Sequence, residues 1–112
     1  MIRITSHGLN GTGIYIGRPS RYGNPYPTKR SRFSSKIYPL HESLKLYSKL
    51  VEEGKMDISR LEMQYVKDGF LILDCWCIDK IVSSLEDVNP DSWRCHGEIL
   101  AYHILKNCKF SR

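Results

Sequence analysis

Two short blocks of this sequence hold side chains able to do chemistry. The first is Gly17-Arg18-Pro19-Ser20-Arg21-Tyr22-Gly23-Asn24-Pro25. Gly17 and Gly23 let the backbone approach a ligand closely. Arg18 and Arg21 carry fork-shaped donors that match phosphate or carboxylate. Ser20 and Asn24 can add orienting hydrogen bonds, and Tyr22 or Tyr26 a stacking surface. The plainer alternative is a proline-rich turn with exposed arginines.

The second block is Cys75-Trp76-Cys77 together with Cys95-His96. Three thiols and an imidazole are a tetrahedral zinc set of the Cys3His type. Against zinc, C-x-C is less typical than C-x2-C, and two cysteines alternating on one strand face lie roughly 6.5–7 Å apart. Two other readings stay open. Cys95 and His96 fall near the start of a helix, where partial positive charge makes a thiol reactive. All the thiols can equally be small apolar packing units beside a buried strand. The helix start at Cys95, His96 and Glu98 also offers free N–H groups to an anion. Asp74, His96 and Glu98 are the acid–base candidates. Glu98 doubles as a first-turn capping residue, and Asp74 can bind a ribose hydroxyl or pair with Arg18 or Lys80.

The elements that must position these groups follow from periodicity. Ile2, Ile4 and Ser6 alternate with Arg3 and Thr5 as in a strand, and Gly13–Gly17 reads as a second. Asn10-Gly11 between them predicts a hairpin turn, with a phosphate-cradling glycine loop as the alternative. Residues 17–39 form a long irregular stretch holding four of the five prolines. A helix is expected from Pro39, with Leu40, Leu44, Tyr47 and Val51 on one face and Gly54 at its end. Asp57 reads as the cap of a second helix with Ile58, Leu61 and Tyr65 inward, stopped at Asp68-Gly69. The nearly continuous apolar run from Phe70 to Cys77 predicts a central strand buried on both faces. Residues 78–90 fit a short helix through Ile78, Ile81, Val82 and Leu85. The last helix, capped by Asp91 or Ser92, buries Ile99, Leu100 and His103 or Ile104. The order predicts a single α/β domain over 1–112, a compact sandwich with a small mixed sheet and flanking helices.

Composition limits what such a domain can be. At 112 residues, 41% hydrophobic and 26% charged, the chain has globular proportions and room for one core. No apolar run approaches a membrane span, and MIRITSHGLNG lacks the apolar core of a signal peptide, so a cytoplasmic protein with reduced thiols is expected. The net charge of +5 is unevenly spread. Residues 1–41 hold Arg3, Arg18, Arg21, Lys29, Arg30, Arg32 and Lys36 and no acidic residue, whereas residues 42–112 carry a small acidic excess. That field favours phosphates or an acidic partner.

Together, YIGRPSRYGNPY (15–26), CWC (75–77) and CHGEIL (95–100) resemble a family of short bacterial and phage proteins catalogued as a domain of unknown function. Its members carry Y-I-G-R-x-S-x-x-G-N-P near the start and C-W-C…C-H-G near the end. The family pattern places only a few residues, with a proline, between CWC and CH, whereas seventeen (78–94) intervene here. The resemblance implies a Rossmann-like domain, similar in outline to a superfamily that senses or processes nucleotide-derived ligands. A phage-encoded member is consistent with a role in the host cytoplasm, sequestering a nucleotide signal or blocking a host protein.

The leading expectation is therefore binding of a phosphate-bearing nucleotide or nucleotide-derived small molecule. Gly17, Arg18, Ser20, Arg21, Gly23 and Asn24 would form one wall, and Cys95, His96 and Glu98 the other. A small hydrolase or transferase acting on a nucleotide is the first alternative. The second is a nucleic-acid- or protein-binding inhibitor using the basic loop 18–36, where Lys29, Arg30, Arg32 and Lys36 interleave with Tyr26, Phe33 and Tyr38.

Overall fold

Alternation of Ile2, Arg3, Ile4 and Thr5 produces β1 (Ile2–Thr5), whose isoleucines are fully buried and whose Arg3 is exposed. In the computed structural model, which describes residues 1–18, 20–26 and 37–108, the remaining elements follow in order. They are β2 (Ile14–Tyr15), α1 (Leu40–Glu52), α2 (Ser59–Asp68), β3 (Leu71–Asp74), β4 (Lys80–Val82) and α3 (His96–Cys108). Pro19 and most of the basic loop, with Lys29, Arg30, Arg32, Phe33 and Lys36, lie outside the described residues.

The four strands form one mixed sheet in the order β2-β3-β1-β4. β3 pairs in parallel with both β1 and β2, placing Asp74 opposite Thr5 on one side and Tyr15 on the other. The expected hairpin between the first two strands does not form. Gly8–Asn10 is instead a single 3-10 turn, and Gly11 has an ordinary negative φ of −78°. Glycine at 11 is required by proximity, because a Cβ there would lie 2.2 Å from the Asp74 carboxyl group. β4 is a second correction. Lys80–Val82 pairs antiparallel with β1 where a helix was expected, and two short 3-10 turns, Leu85–Val88 and Pro90–Ser92, carry the chain onward.

Ile2, Ile4, Leu71, Leu73 and Val82 turn one face of the sheet toward the helices. Each such side chain contributes about 1.5–3 kcal/mol by leaving water. α3 packs on β1, α2 on β3, and both α1 and α2 against α3. Arg3, Ile72 and Ile81 stand in register on the other face, where Ile81 is exposed and Ile72 half-buried. β3 is thus interior to the sheet but not buried on both sides. Leu44, Tyr47 and Val51 form the buried stripe of α1, while Leu40 stays exposed. Gly54 and Gly69 follow α1 and α2 in left-handed geometry, at φ +74° and +76°, as expected of helix ends.

His103 of α3 is buried against α1, with Nε2 3.0 Å from Ser48 Oγ and the Tyr102 ring edge-on beside it. Burial lowers its pKa from 6.5, with Glu52 opposing the shift and Lys106 adding to it. The unfolded chain therefore binds the proton more readily than the folded one. Stability is complete above about pH 6.5 and falls as pH drops below it. The urea midpoint is expected to be lower at pH 5.5 than at pH 7.5. His103→Gln should reduce that difference, leaving a remainder from His96, whose burial shifts its pKa the same way.

Candidate functional site

A cleft of about 320 Å³ opens where the two sequence blocks meet. Gly17, Arg18, Asn24 and Tyr26 form one side. Trp76, Cys77, Arg94, Cys95 and His96 form the other, and Leu40 and Leu44 of α1 close the end. Among the described residues neither Arg18 nor Arg94 has an ion-pair partner.

Hydrogen bonds from three elements fix this convergence. Ile16, fully buried, donates its N–H to the Asp74 carbonyl at 2.9 Å. Its own carbonyl accepts from His96 Nε2 at 2.7 Å, tying the first residue of α3 to the arginine block. A carbonyl only accepts, so Nε2 carries the proton and Nδ1 the lone pair. Burial lowers the His96 pKa, with the Ile16 bond opposing. Tyr15 Oη donates to the Arg18 carbonyl at 2.6 Å and accepts from Trp76 Nε1 at 2.9 Å. Asn24 Nδ2 donates to Ser43 Oγ, which donates to the Tyr26 carbonyl, so this block is anchored to α1. At the start of α3, a Cβ on Gly97 would lie 3.0 Å from Ile4 and 3.1 Å from Ile16, so glycine lets the helix tip sit close on the sheet.

The expected ligand residues divide by this geometry. Gly17, Arg18, Asn24, Cys95 and His96 reach the cleft. Ser20 and Gly23 build the turn behind it, through Ser20 N–H to the Gly17 carbonyl and Gly23 N–H to the Ser20 carbonyl. Arg21 lies elsewhere, over the Tyr22 ring and in a separate groove of about 590 Å³ with Arg60 and Lys67. That groove is larger, but its lining has no acid, imidazole or thiol beside its cations. The chemistry concentrates in the smaller cleft. Tyr22 is buried, with its carbonyl accepting from Tyr47 Oη at 2.7 Å, so it offers no stacking surface. Arg94 is the cleft cation that sequence reasoning missed; its only signal was adjacency to Cys95-His96.

Two acid–base candidates lie outside the cleft lining. Asp74, 1% exposed, accepts from Thr5 Oγ1 and from Gly13 N–H and pairs with neither Arg18 nor Lys80. Glu98, fully buried, accepts from the N–H groups of Arg94 and Cys95 at 2.7 and 3.1 Å and from Lys80 Nζ at 2.8 Å. Its carboxylate caps α3, the first-turn role expected of it, whereas Asp91 and Ser92, the expected helix caps, lie in a separate 3-10 turn before α3.

Cys75, Cys77 and Cys95 come together, with sulfurs within 4.8 Å of one another, close enough to hold a metal ion. The expected obstacle, two cysteines spaced along one strand face, disappears because β3 ends at Asp74 and the chain bends at Trp76-Cys77. Residues 78–94 leave as β4 and return Cys95 to Cys75, at 3.4 Å between sulfurs. His96 is not in this cluster, its Nε2 being engaged by Ile16. The Cys75 thiol is held well below its usual pKa by S–H donation from Cys77 and then Cys95. Cys95 is correspondingly pushed up by its bonds to Cys75 and Cys77, with burial adding.

A family model for a domain of unknown function, DUF4326, matches residues 3–106. The chain belongs to the DUF4326 family. No curated protein and no solved structure matches it. The stretch matched to DUF4326 contains every residue of the cleft and all three clustered cysteines. Among the described residues of this DUF4326 chain, no helix is long and apolar enough to cross a membrane.

Proposed function

We propose that this cleft binds a small phosphate-bearing ligand of the nucleotide-derived class. The observation that carries the reading is the meeting of Gly17, Arg18, Asn24 and Tyr26 with Arg94, Cys95 and His96 around one cavity, where Arg18 and Arg94 have no ion-pair partner among the described residues. Guanidinium forks suit phosphate oxygens. Tyr26 and Trp76 add aromatic surface of the kind a base stacks on. Binding is favoured over hydrolysis because Asp74 and Glu98 are engaged in hydrogen bonds outside the cleft lining. In this reading the cysteine cluster at the cleft wall is the place for a zinc ion.

The test is calorimetry with nucleoside mono-, di- and triphosphates and inorganic phosphate. Arg18→Ala should weaken binding by about ten- to a hundredfold, the loss of one charge-assisted bond. Arg21→Ala should leave it unchanged. Absence of heat or thermal stabilisation with every phosphate compound, in a normally folded protein, would refute the reading.

A further inference from the structure

We propose that Cys75, Cys77 and Cys95 bind one zinc ion as three thiolates and leave its fourth position, held by an exchangeable water, open to the cleft. This deepens the ligand-binding reading and rests on it for the identity of what displaces the water. The sulfur spacing carries the argument. A zinc–sulfur bond of ~2.3 Å in tetrahedral geometry sets sulfurs ~3.8 Å apart. The Cys75–Cys95 separation is 3.4 Å and all three sulfurs fall within 4.8 Å. An iron–sulfur cluster spreads its cysteines over different irons and needs wider spacing. Thiolate sulfur is soft and selects zinc over magnesium or calcium.

Two of the three sulfurs already accept backbone N–H groups, which favour the anion, while the Cys75 thiol donates to the Thr5 carbonyl at 3.2 Å and gives up that bond on losing its proton. Cys77 N–H points at Cys75 Sγ at 3.5 Å, and Gly97 N–H, in the first turn of α3, at Cys95 Sγ at 3.4 Å. On binding, each thiol releases its proton to solvent as its S–Zn bond forms. The resulting centre carries one net negative charge, beside Arg18 and Arg94 in the cleft wall. Among the described residues, no other His, Cys, Asp or Glu joins the cluster. Cys77 and Cys95, but not Cys75, line the cleft, and on that lining the unfilled position is assigned to the cleft side. Three protein ligands plus one exchangeable position is the arrangement of zinc sites that act on bound molecules, whereas structural sites close all four.

Cobalt(II) titration of the full chain, stripped of metal under reductant, tests this without any nucleotide. One equivalent should give intense tetrahedral thiolate–cobalt bands that zinc then abolishes. Cys77 is exposed, so Cys77→Ser should fold normally. It should lose more than about a hundredfold in cobalt affinity, beyond the 10–100-fold typical of residues behind the ligands. Cys108→Ser, outside the cluster, should change nothing. Imidazole should shift the visible bands by taking the open position. Weak octahedral spectra, uptake indifferent to Cys77, bands insensitive to imidazole, or a Cys75–Cys95 disulfide in freshly purified protein would each overturn the proposal. Arg18→Ala should retain cobalt while losing nucleotide. Cobalt bound without nucleotide binding therefore removes only the cleft reading, and nucleotide bound without cobalt removes only the metal.

Discussion

Replacing Glu98 with alanine is expected to lower folding stability by about 3 kcal/mol, the lower end of the cost of breaking a buried ion pair. The fully buried carboxylate accepts three hydrogen bonds, from Lys80 Nζ and from the N–H groups of Arg94 and Cys95. Alanine leaves two N–H groups at the tip of α3 without their acceptor, opens a void, and strands the Lys80 ammonium. The Lys80 side chain keeps 27% exposure and can swing into water, which holds the cost below the upper end. Lys80→Met leaves the fully buried carboxylate without its cation and should cost a comparable amount. Glu98→Gln should cost less than either, since its amide oxygen still accepts from the helix tip. The consequence for the cleft is larger than stability alone suggests. Arg94 and Cys95, whose N–H groups the carboxylate holds, are both cleft residues. Urea denaturation reads the first effect, and phosphate-ligand binding at a temperature where the variant is folded reads the second. A Glu98→Ala midpoint within about 1 kcal/mol of the parent would contradict this account.

The helices were legible because their signals are local. The Leu44, Tyr47, Val51 stripe and the glycines at 54 and 69 need only neighbours a few residues away to declare themselves. Glu98, three residues after Cys95, likewise announced a capped first turn. Strand pairing was not legible. Alternation says which residues of β1 face inward but not which strand lies beside them. Asn10-Gly11 carried a hairpin signal, yet what decides that loop is Asp74, sixty-odd residues away, whose carboxyl group admits only glycine at 11. In and around β4, Ile78, Ile81, Val82 and Leu85 recur at helical spacing, and Lys80–Val82 became a strand because the free edge of β1 offered it a ladder. The cysteine cluster was half legible. Its members were identified, but Cys75 and Cys77 continue an alternating apolar pattern that hides the bend at Trp76. That bend is held partly by the indole bond to Tyr15 Oη, a contact across the sheet that no short window contains. The meeting of the arginine block with the tip of α3 could be argued from strand-end logic. Which arginine enters could not, since Arg18 and Arg21 differ only in which way the turn at Ser20 points them.

Asp74→Ala should cost about 2 to 3 kcal/mol, and Asp74→Asn about 1 kcal/mol. The pair of substitutions separates a scaffolding carboxyl group from a chemical one. Asp74 sits at the end of β3 between Thr5 and Tyr15, in register with both neighbouring strands. One carboxyl oxygen accepts from Thr5 Oγ1 and the other from Gly13 N–H at 2.7 Å. Alanine leaves the Gly13 donor unmatched and removes the side-chain tie between β3 and the 8–13 loop that the Gly13 bond supplies. β2 has two residues and depends on that loop for its placement. Loss of the tie should loosen β2 and, through Ile16, the carbonyl that holds His96. Asparagine can keep its oxygen on Gly13 and turn its amide toward Thr5 Oγ1, which is able to accept. Ligand binding in the folded Asp74→Asn protein should then match the parent within about threefold, a change of less than 1 kcal/mol. If asparagine instead abolished a measurable turnover while leaving the urea midpoint near that of the parent, Asp74 would be acting on substrate, and the assignment of its carboxyl group to the scaffold would fall.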